Sequence, residues 1–340
     1  MMNNTEQSIK NKLFKKIFTR ESALGLIVLI FFFILYIFTN FKTAVGITSF
    51  LKEIAYLLTA STALTLVIIT GNIDISAGTL VGLCGYAAAY FAKMGMPFYV
   101  YIPVAIIVGV IFAGINGIIV TKFNVPSLVA TLAMVNVHLG IFILLPGGGW
   151  IEGLQSNFTN LGSTIYFGLL PLTFILSMII FVIIMIYIKY SRFIKKIYAV
   201  GGNKRASLLV GIKPNNIVMK TFLFEGVLLG ITSVLFYTTR NVVQSNSTYG
   251  MEFMFITIAV VGGISIAGGQ GKLIGTAYGA VLLALITRAM ILFGLQDYYS
   301  YALQGLIIIG TVLLTYVDVG KLWRRKKFRA YTESYKRGDK

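Results

Sequence analysis

Apolar runs of about 20 residues recur along the chain, separated by short polar or glycine-rich breaks. A helix needs roughly 20 mostly apolar residues to cross a bilayer. That rule predicts about ten spans, near 22–39, 47–70, 76–93, 98–120, 126–145, 166–189, 217–239, 253–270, 273–294 and 300–318. The second, fifth and eighth are rich in Ser, Thr, Asn and Gly. The predicted fold class is therefore an all-α membrane protein of about ten transmembrane helices. The organisation is a basic tail over 1–21, a transmembrane domain over 22–320 with a polar loop at about 190–216, and a second basic tail over 321–340.

Composition agrees with this pattern. Of 340 residues, 57% are hydrophobic and 12% are charged, whereas a soluble domain carries about 25% charged residues. The net charge of +18 raises nucleic-acid binding as a possibility, but its distribution answers to the membrane. Most Lys and Arg fall in the two tails and in the stretch from Lys189 to Lys220. All three flank apolar runs, as the positive-inside rule requires. With ten spans, these three stretches share one side, the cytoplasmic one, and Glu152, Glu252 and Asp297 face the other. The N-terminal apolar run, Ala23 to Phe38, lacks a small-residue cleavage site and reads as the first span. The single cysteine, Cys84, and single histidine, His138, argue against a disulfide or a His/Cys metal site. We expect no metal, no catalytic residue and no cofactor in this chain.

Chemistry-bearing residues cluster at the breaks. In NIDISAG, Asn72 to Gly78, Asp74 and Ser76 are each placed to cap the following helix, with Gly78 allowing close packing. The alternative is a broken-helix element lining a hydrated pathway. Gly114 and Gly117 admit a neighbouring helix, and Asn116 either bonds across helices or faces solute. Pro126 suits a helix start. Ser127 and Thr131, four apart on one face, either bond back to carbonyls or line the pathway. His138 reads as a hydrogen-bonded packing residue. Gly147 to Gly149 form a permissive outer loop carrying Trp150, an interfacial anchor, and exposed Glu152. Glu225 and Arg288 fall inside spans, and burial of both would call for an ion pair.

The polar loop contains IYAVGGNKRASLLVGI, Ile197 to Ile212. Gly201 and Gly202 are expected to break the preceding structure, Asn203 to cap a two-turn helix, and Gly211 to end it. Ala206, Leu209 and Val210 then share one face, with Lys204, Arg205 and Ser207 elsewhere. Such a helix either docks into a partner's groove or lies on anionic lipid. Downstream, the glycine-rich VVGGISIAGGQGKLIGTAYGA, Val260 to Ala280, predicts a tight turn between close helices. Gly271, Gly275 and Gly279 would form a smooth packing strip. Its GGQGKL is no phosphate-binding loop. Ile266 occupies the required first Gly, and Leu273 the Ser or Thr after Lys272.

In their order, NIDISAG, VPSLVATLAM, IYAVGGNKRASLLVGI and VVGGISIAGGQGKLIGTAYGA resemble the membrane permeases of ribose/xylose-type ABC sugar importers, over about residues 45–320. Within that class, NIDISAGTLVGLC and GGGWIEGL are most similar to the autoinducer-2 (Lsr-type) permeases. The resemblance implies the ABC importer permease fold, and two permease subunits, here a heterodimer, forming the pathway. It also implies an extracytoplasmic solute-binding protein, and ATP used by separate cytoplasmic ATPases. These would dock at Gly202, Asn203, Ala206, Leu209 and Gly211. Asn72, Asp74, Ser76, Asn116, Ser127 and Thr131 would supply the solute pathway. Glu225 departs from the small polar residue usual there, and His138 from Arg or Tyr. Transport of ribose or another monosaccharide is the alternative. A stand-alone secondary transporter would need more mid-membrane carboxylates, and a membrane enzyme would need a nucleophile and base that are not evident.

Overall fold

A computed structural model describes residues 20–310, apart from 241, 245–246, 296–298, 300–301, 304 and 308. The basic tails, Asp297 and most of the tenth span lie outside the described residues. The first nine predicted spans all contain helix. These are α1 (Arg20–Phe38), α2 (Ala44–Ile69), α3 (Ala77–Lys93), α4 (Phe98–Lys122) and α5 (Ser127–Leu144). A short α6 (Ser156–Ser163) and a small hairpin, β1 (Ile165–Tyr166) with β2 (Leu170–Pro171), precede α7 (Leu172–Tyr190). Then come α8 (Arg192–Gly202), α9 (Lys204–Leu209), α10 (Pro214–Tyr237), α11 (Met251–Val261) and α12 (Leu273–Leu292). Among the described residues, six helices (α2, α4, α5, α7, α10 and α12) are long and apolar enough to cross a membrane.

Burial sorts these helices by role. An 18-residue window of α2 is 83% buried, and that of α7 only 22%. Helix α2 is the central post, packed by α10, α12, α7 and α11. Its interior hydroxyls pair with neighbours: Thr59 Oγ1 lies 3.0 Å from Ser177 Oγ of α7, and Thr65 Oγ1 2.9 Å from Thr276 Oγ1 of α12. Lipid offers apolar side chains no advantage in meeting each other. Close backbone approach and interhelical hydrogen bonds therefore hold such a bundle. Helices α1 and α7 instead expose Leu26, Ile30, Ile179 and Ile183, the surface expected of lipid-facing helices.

The tightest pair is α4 with α10. Gly109 is pressed on the Gly226 carbonyl, Gly226 on the Gly109 carbonyl, and Gly230 on the backbone of Ala105 and Ile106. Gly114 and Gly117, singled out in the sequence, take the side chains of Leu223 and Met219 on the same helix.

Three expectations need correction. Span eight ends at Val261, not near 270, because a turn begins at Gly262. Gly275 and Gly279 do pack on Gly262 and Ile258, but Gly271 belongs to the loop, at φ 124°. Gly201 and Gly202 do not break α8, which continues through both.

Substituting Gly226 with Leu should destabilise the bundle by about 1–3 kcal/mol or more, since backbone cannot yield to an added side chain. Gly140 of α5 meets nothing within 4 Å, so Gly140→Ala should be neutral or slightly stabilising. Thermal unfolding of the two variants in detergent checks the contrast.

Candidate functional site

Helix α2 ends at Ile69, and the chain does not continue as helix until Ala77. Residues 72–74 lack regular structure, so their backbone groups need outside partners. Helix α5 supplies them. The Ile73 N–H donates to Ser127 Oγ at 3.1 Å, and the Ile75 N–H to Thr131 Oγ1 at 3.0 Å. The Thr131 hydroxyl also bonds back to the Ser127 carbonyl at 2.9 Å and reaches the Ile73 carbonyl at 3.3 Å. Of the two, Thr131 bonds backward to a carbonyl, and both hydroxyls hold the broken segment.

Asp74 sits at the centre of a fully buried polar knot. Its Oδ1 accepts from the Ser76 N–H at 2.7 Å and the Ser76 hydroxyl at 2.6 Å. Asn116 of α4 donates to Asp74 Oδ2 at 3.1 Å and to Ser76 Oγ at 2.8 Å. Asn116 therefore bonds across helices. Ser76 occupies the N-cap position of α3, but its hydroxyl bonds Asp74 instead of capping. Gly78 admits Glu252 and Thr248 at close range. Asn72 is half-buried and donates to Thr70 Oγ1 at 2.8 Å.

Glu225 borders the knot, its two carboxylate oxygens buried without a hydrogen-bond partner. It is the twelfth residue of the 24-residue α10, hence midway along it. The expected pairing with Arg288 is not formed. Glu225 adjoins Asp74, while Arg288 and Arg240 are the cations facing Glu53 on α2. The cause is helix facing: α10 turns residue 225 toward the broken segment, and α12 turns residue 288 toward α2. His138 is fully buried, its Nδ1 3.0 Å from Thr79 Oγ1 and its ring edge-on to Phe112. That is the packing role expected of it.

The end of α2 meets two other backbones. Gly201 of α8 lies directly against the Ile69 carbonyl, and the Gly269 N–H donates to that same carbonyl at 2.8 Å. Gly268 and Gly269 adopt φ of 88° and 71°, which side-chain-bearing residues rarely take. The Tyr198 hydroxyl closes the junction by donating to the Gly271 carbonyl at 2.8 Å. Burial pushes the Tyr198 phenol above its usual range, so it remains a donor.

The short helix α9 begins at Lys204, after Gly202 and Asn203. The Asn203 side chain accepts from the Ala206 N–H at 2.9 Å, the capping bond expected. Gly211, at φ 78°, donates to the Leu208 carbonyl and ends the turn. Ala206 is exposed, Leu209 is 89% exposed and Val210 74%. Ser207, expected on the polar face, is instead buried and donates to the Lys204 carbonyl. Trp150 and Glu152 are exposed at the opposite end of the bundle. Between them, Ile151 pairs with Val243 through two backbone bonds of 3.0 Å.

One further site was not anticipated. A cavity of about 520 Å³ opens between the first half of α2, the end of α10, the start of α11 and the end of α12. Lys52, Glu53, Tyr56, Arg240 and Thr287 lie on its wall. Lys52 and Glu53 inside an otherwise apolar span were the signal that could have found it.

Residues 46–312 match the permease family described as "Branched-chain amino acid transport system / permease component". The chain belongs to that family. It is a multi-pass membrane protein and a transport permease. It is also 29% identical to the "Autoinducer 2 import system permease protein LsrC" of Yersinia pseudotuberculosis serotype O:3 (strain YPIII), over 86% of this chain and 84% of the relative. The LsrC of Yersinia pestis (strain Pestoides F) matches with the same identity and coverage. No solved structure matches.

Replacing Asn116 of the permease with Leu removes both donors that reach across from α4, leaving Asp74 and Ser76 short of partners. Loss of a buried hydrogen-bond partner costs about 1–3 kcal/mol, and more beside a charged group. Thermal unfolding should show a clear destabilisation, larger than for Asn136→Leu on the exposed face of α5, where a single 3.4 Å bond is lost.

Proposed function

We propose that this chain is the permease subunit of an ATP-driven importer that carries autoinducer-2, or a similar small sugar-like solute, across the inner membrane. Membership of a transport permease family and the two LsrC relatives support the reading. The single observation that carries its mechanism is the capped, solvent-exposed apolar face of α9. Helices α8 and α9 carry Arg192, Lys195, Lys196, Lys204 and Arg205. By the positive-inside rule that end, with both chain termini, is cytoplasmic.

Cytoplasmic ATPases grip Gly202, Asn203, Ala206, Leu209 and Gly211, and supply the ATP chemistry that this chain's sequence lacks. A second, different permease subunit completes the pathway, and an extracytoplasmic binding protein delivers solute near Trp150 and Glu152. Displacement of α9 passes to Gly201, to the Ile69 carbonyl, and so to the root of the broken segment. Asn72, Asp74, Ser76, Asn116, Ser127 and Thr131 then line or gate the inner half of the path. Two packings of this segment, differently favoured by the nucleotide state of the ATPases, suffice for alternating access. No cofactor is needed in the chain itself.

Ala206→Asp with Leu209→Asp should abolish pull-down of the ATPases while membrane insertion persists. Unchanged complex assembly sinks the docking role. Vesicles holding the full complex should accumulate autoinducer-2 or ribose with ATP. Uptake of leucine, in keeping with the family's description, and of neither sugar, would replace the substrate assignment.

A further inference from the structure

We propose that Glu225 carries a proton and donates it to Asp74 in a hydrogen bond, so that one proton held between two carboxyl groups latches α10 to the broken segment. The assignment stands on geometry and does not depend on the importer reading. Both residues are fully buried, and they lie within hydrogen-bond reach of each other. Neither Glu225 oxygen meets an N–H or hydroxyl donor. A carboxylate taken out of water without donors is costly, and a second carboxylate beside it adds to the cost. Two carboxyl groups bond directly only when one of them keeps its hydrogen.

The surroundings decide which one keeps it. Asp74 already accepts from the Ser76 N–H, the Ser76 hydroxyl and the Asn116 amide. Three donors favour the ionised form. Glu225 has no such donors, so the proton resides there. No cation substitutes for it among the described residues. Glu252 of α11 faces Asp74 and is a further acid. His138 of α5 is turned to Thr79 and Phe112, and Cys84 of α3 lies beside Tyr237. Lys52 and Glu53 belong to the other half of α2, on the cavity wall with Arg240. The cations of α8 and α9, with Lys122 of α4 and Lys220 of α10, are exposed. With its proton the pair is a bond between α10 and the segment. Without it, two like charges meet in a dry interior and push the elements apart.

Infrared difference spectra of the full chain in lipid vesicles, wild type against Glu225→Gln, test the assignment. At about pH 7, where an exposed glutamate is ionised, the wild type should show the C=O stretch of a neutral carboxylic acid. The band should shift in D2O and be missing from Glu225→Gln. Glutamine keeps a donor toward Asp74, so Glu225→Gln should melt at or above the wild type, and Glu225→Leu below it. The folded pair binds a proton that the unfolded chain releases, so the wild type should lose thermal stability as pH rises from about 6 to about 9, more steeply than Glu225→Gln. Should Glu225→Gln fail to fold, Glu53→Gln with Glu252→Gln removes the two other glutamates of this interior. Isotope labelling of glutamate carboxyls should then still move the acid band. An acid band that survives Glu225→Gln, or that glutamate labelling leaves in place, belongs to another carboxyl and overturns the proposal. Absence of any acid band also overturns it. If that absence comes with stabilisation by sodium chloride over choline chloride, lost in Glu225→Gln, the pair holds a sodium ion instead.

Discussion

At the Ile69 carbonyl three stretches of backbone converge with no side chain between them. Helix α2 ends there, α8 brings Gly201 against it, and the loop before α12 bonds it through Gly269. The placement of the broken segment and of α9 depends on that contact. It ends the central post at a fixed place and starts the broken segment from a fixed root. It also sets α9, which follows after Gly202 and Asn203, at a constant distance from both. Interfaces packed this closely have discrete alternatives instead of continuous give. A push on α9 therefore either leaves the root where it is or moves it by a step.

The segment hung from that root is stabilised from both sides. Helix α5 satisfies its backbone through Ser127 and Thr131, and α4 satisfies its side chains through Asn116. Glu225 closes the third side from the middle of α10. The two helices that contribute Asn116 and Glu225 are also the pair locked by Gly109 and Gly226. The knot thus sits on a rigid wall, while α5 exposes Leu128, Val129 and Leu132 on its other face. Polar chemistry in the membrane interior is confined to places where rigid elements already meet.

Length and hydropathy made the helices legible, because the bilayer imposes one dimension on every span. Asn203 and Gly211 made α9 legible, since capping and termination are local chemistry. Facing was much less legible. Glu225 and Arg288 were matched by charge, but the rotation of α10 and α12 gives each a different neighbour. Gly114 and Gly117 were noticed, while the tighter Gly109–Gly226 contact was not, because a glycine in sequence does not reveal its partner. The cavity was missed for a related reason. Its wall gathers Lys52, Arg240 and Thr287 from three distant parts of the chain, and no window of sequence holds them together.

Helix α11 has a consequence for biogenesis. Its 11 residues rise about 16 Å, roughly half of a hydrocarbon core about 30 Å thick. Beyond it, Gly262, Gly263 and Ile264 donate to the Ile258, Val260 and Ala259 carbonyls of α11 itself, and Ser265 and Gly268 donate to the Gln270 and Ser265 carbonyls within the turn. The bonds that reach outside run from the Gly269 N–H to the Ile69 carbonyl and from the Tyr198 hydroxyl to the Gly271 carbonyl. A half-length helix whose following turn is tied to α2 and α8 is therefore seated only once those two helices are in place.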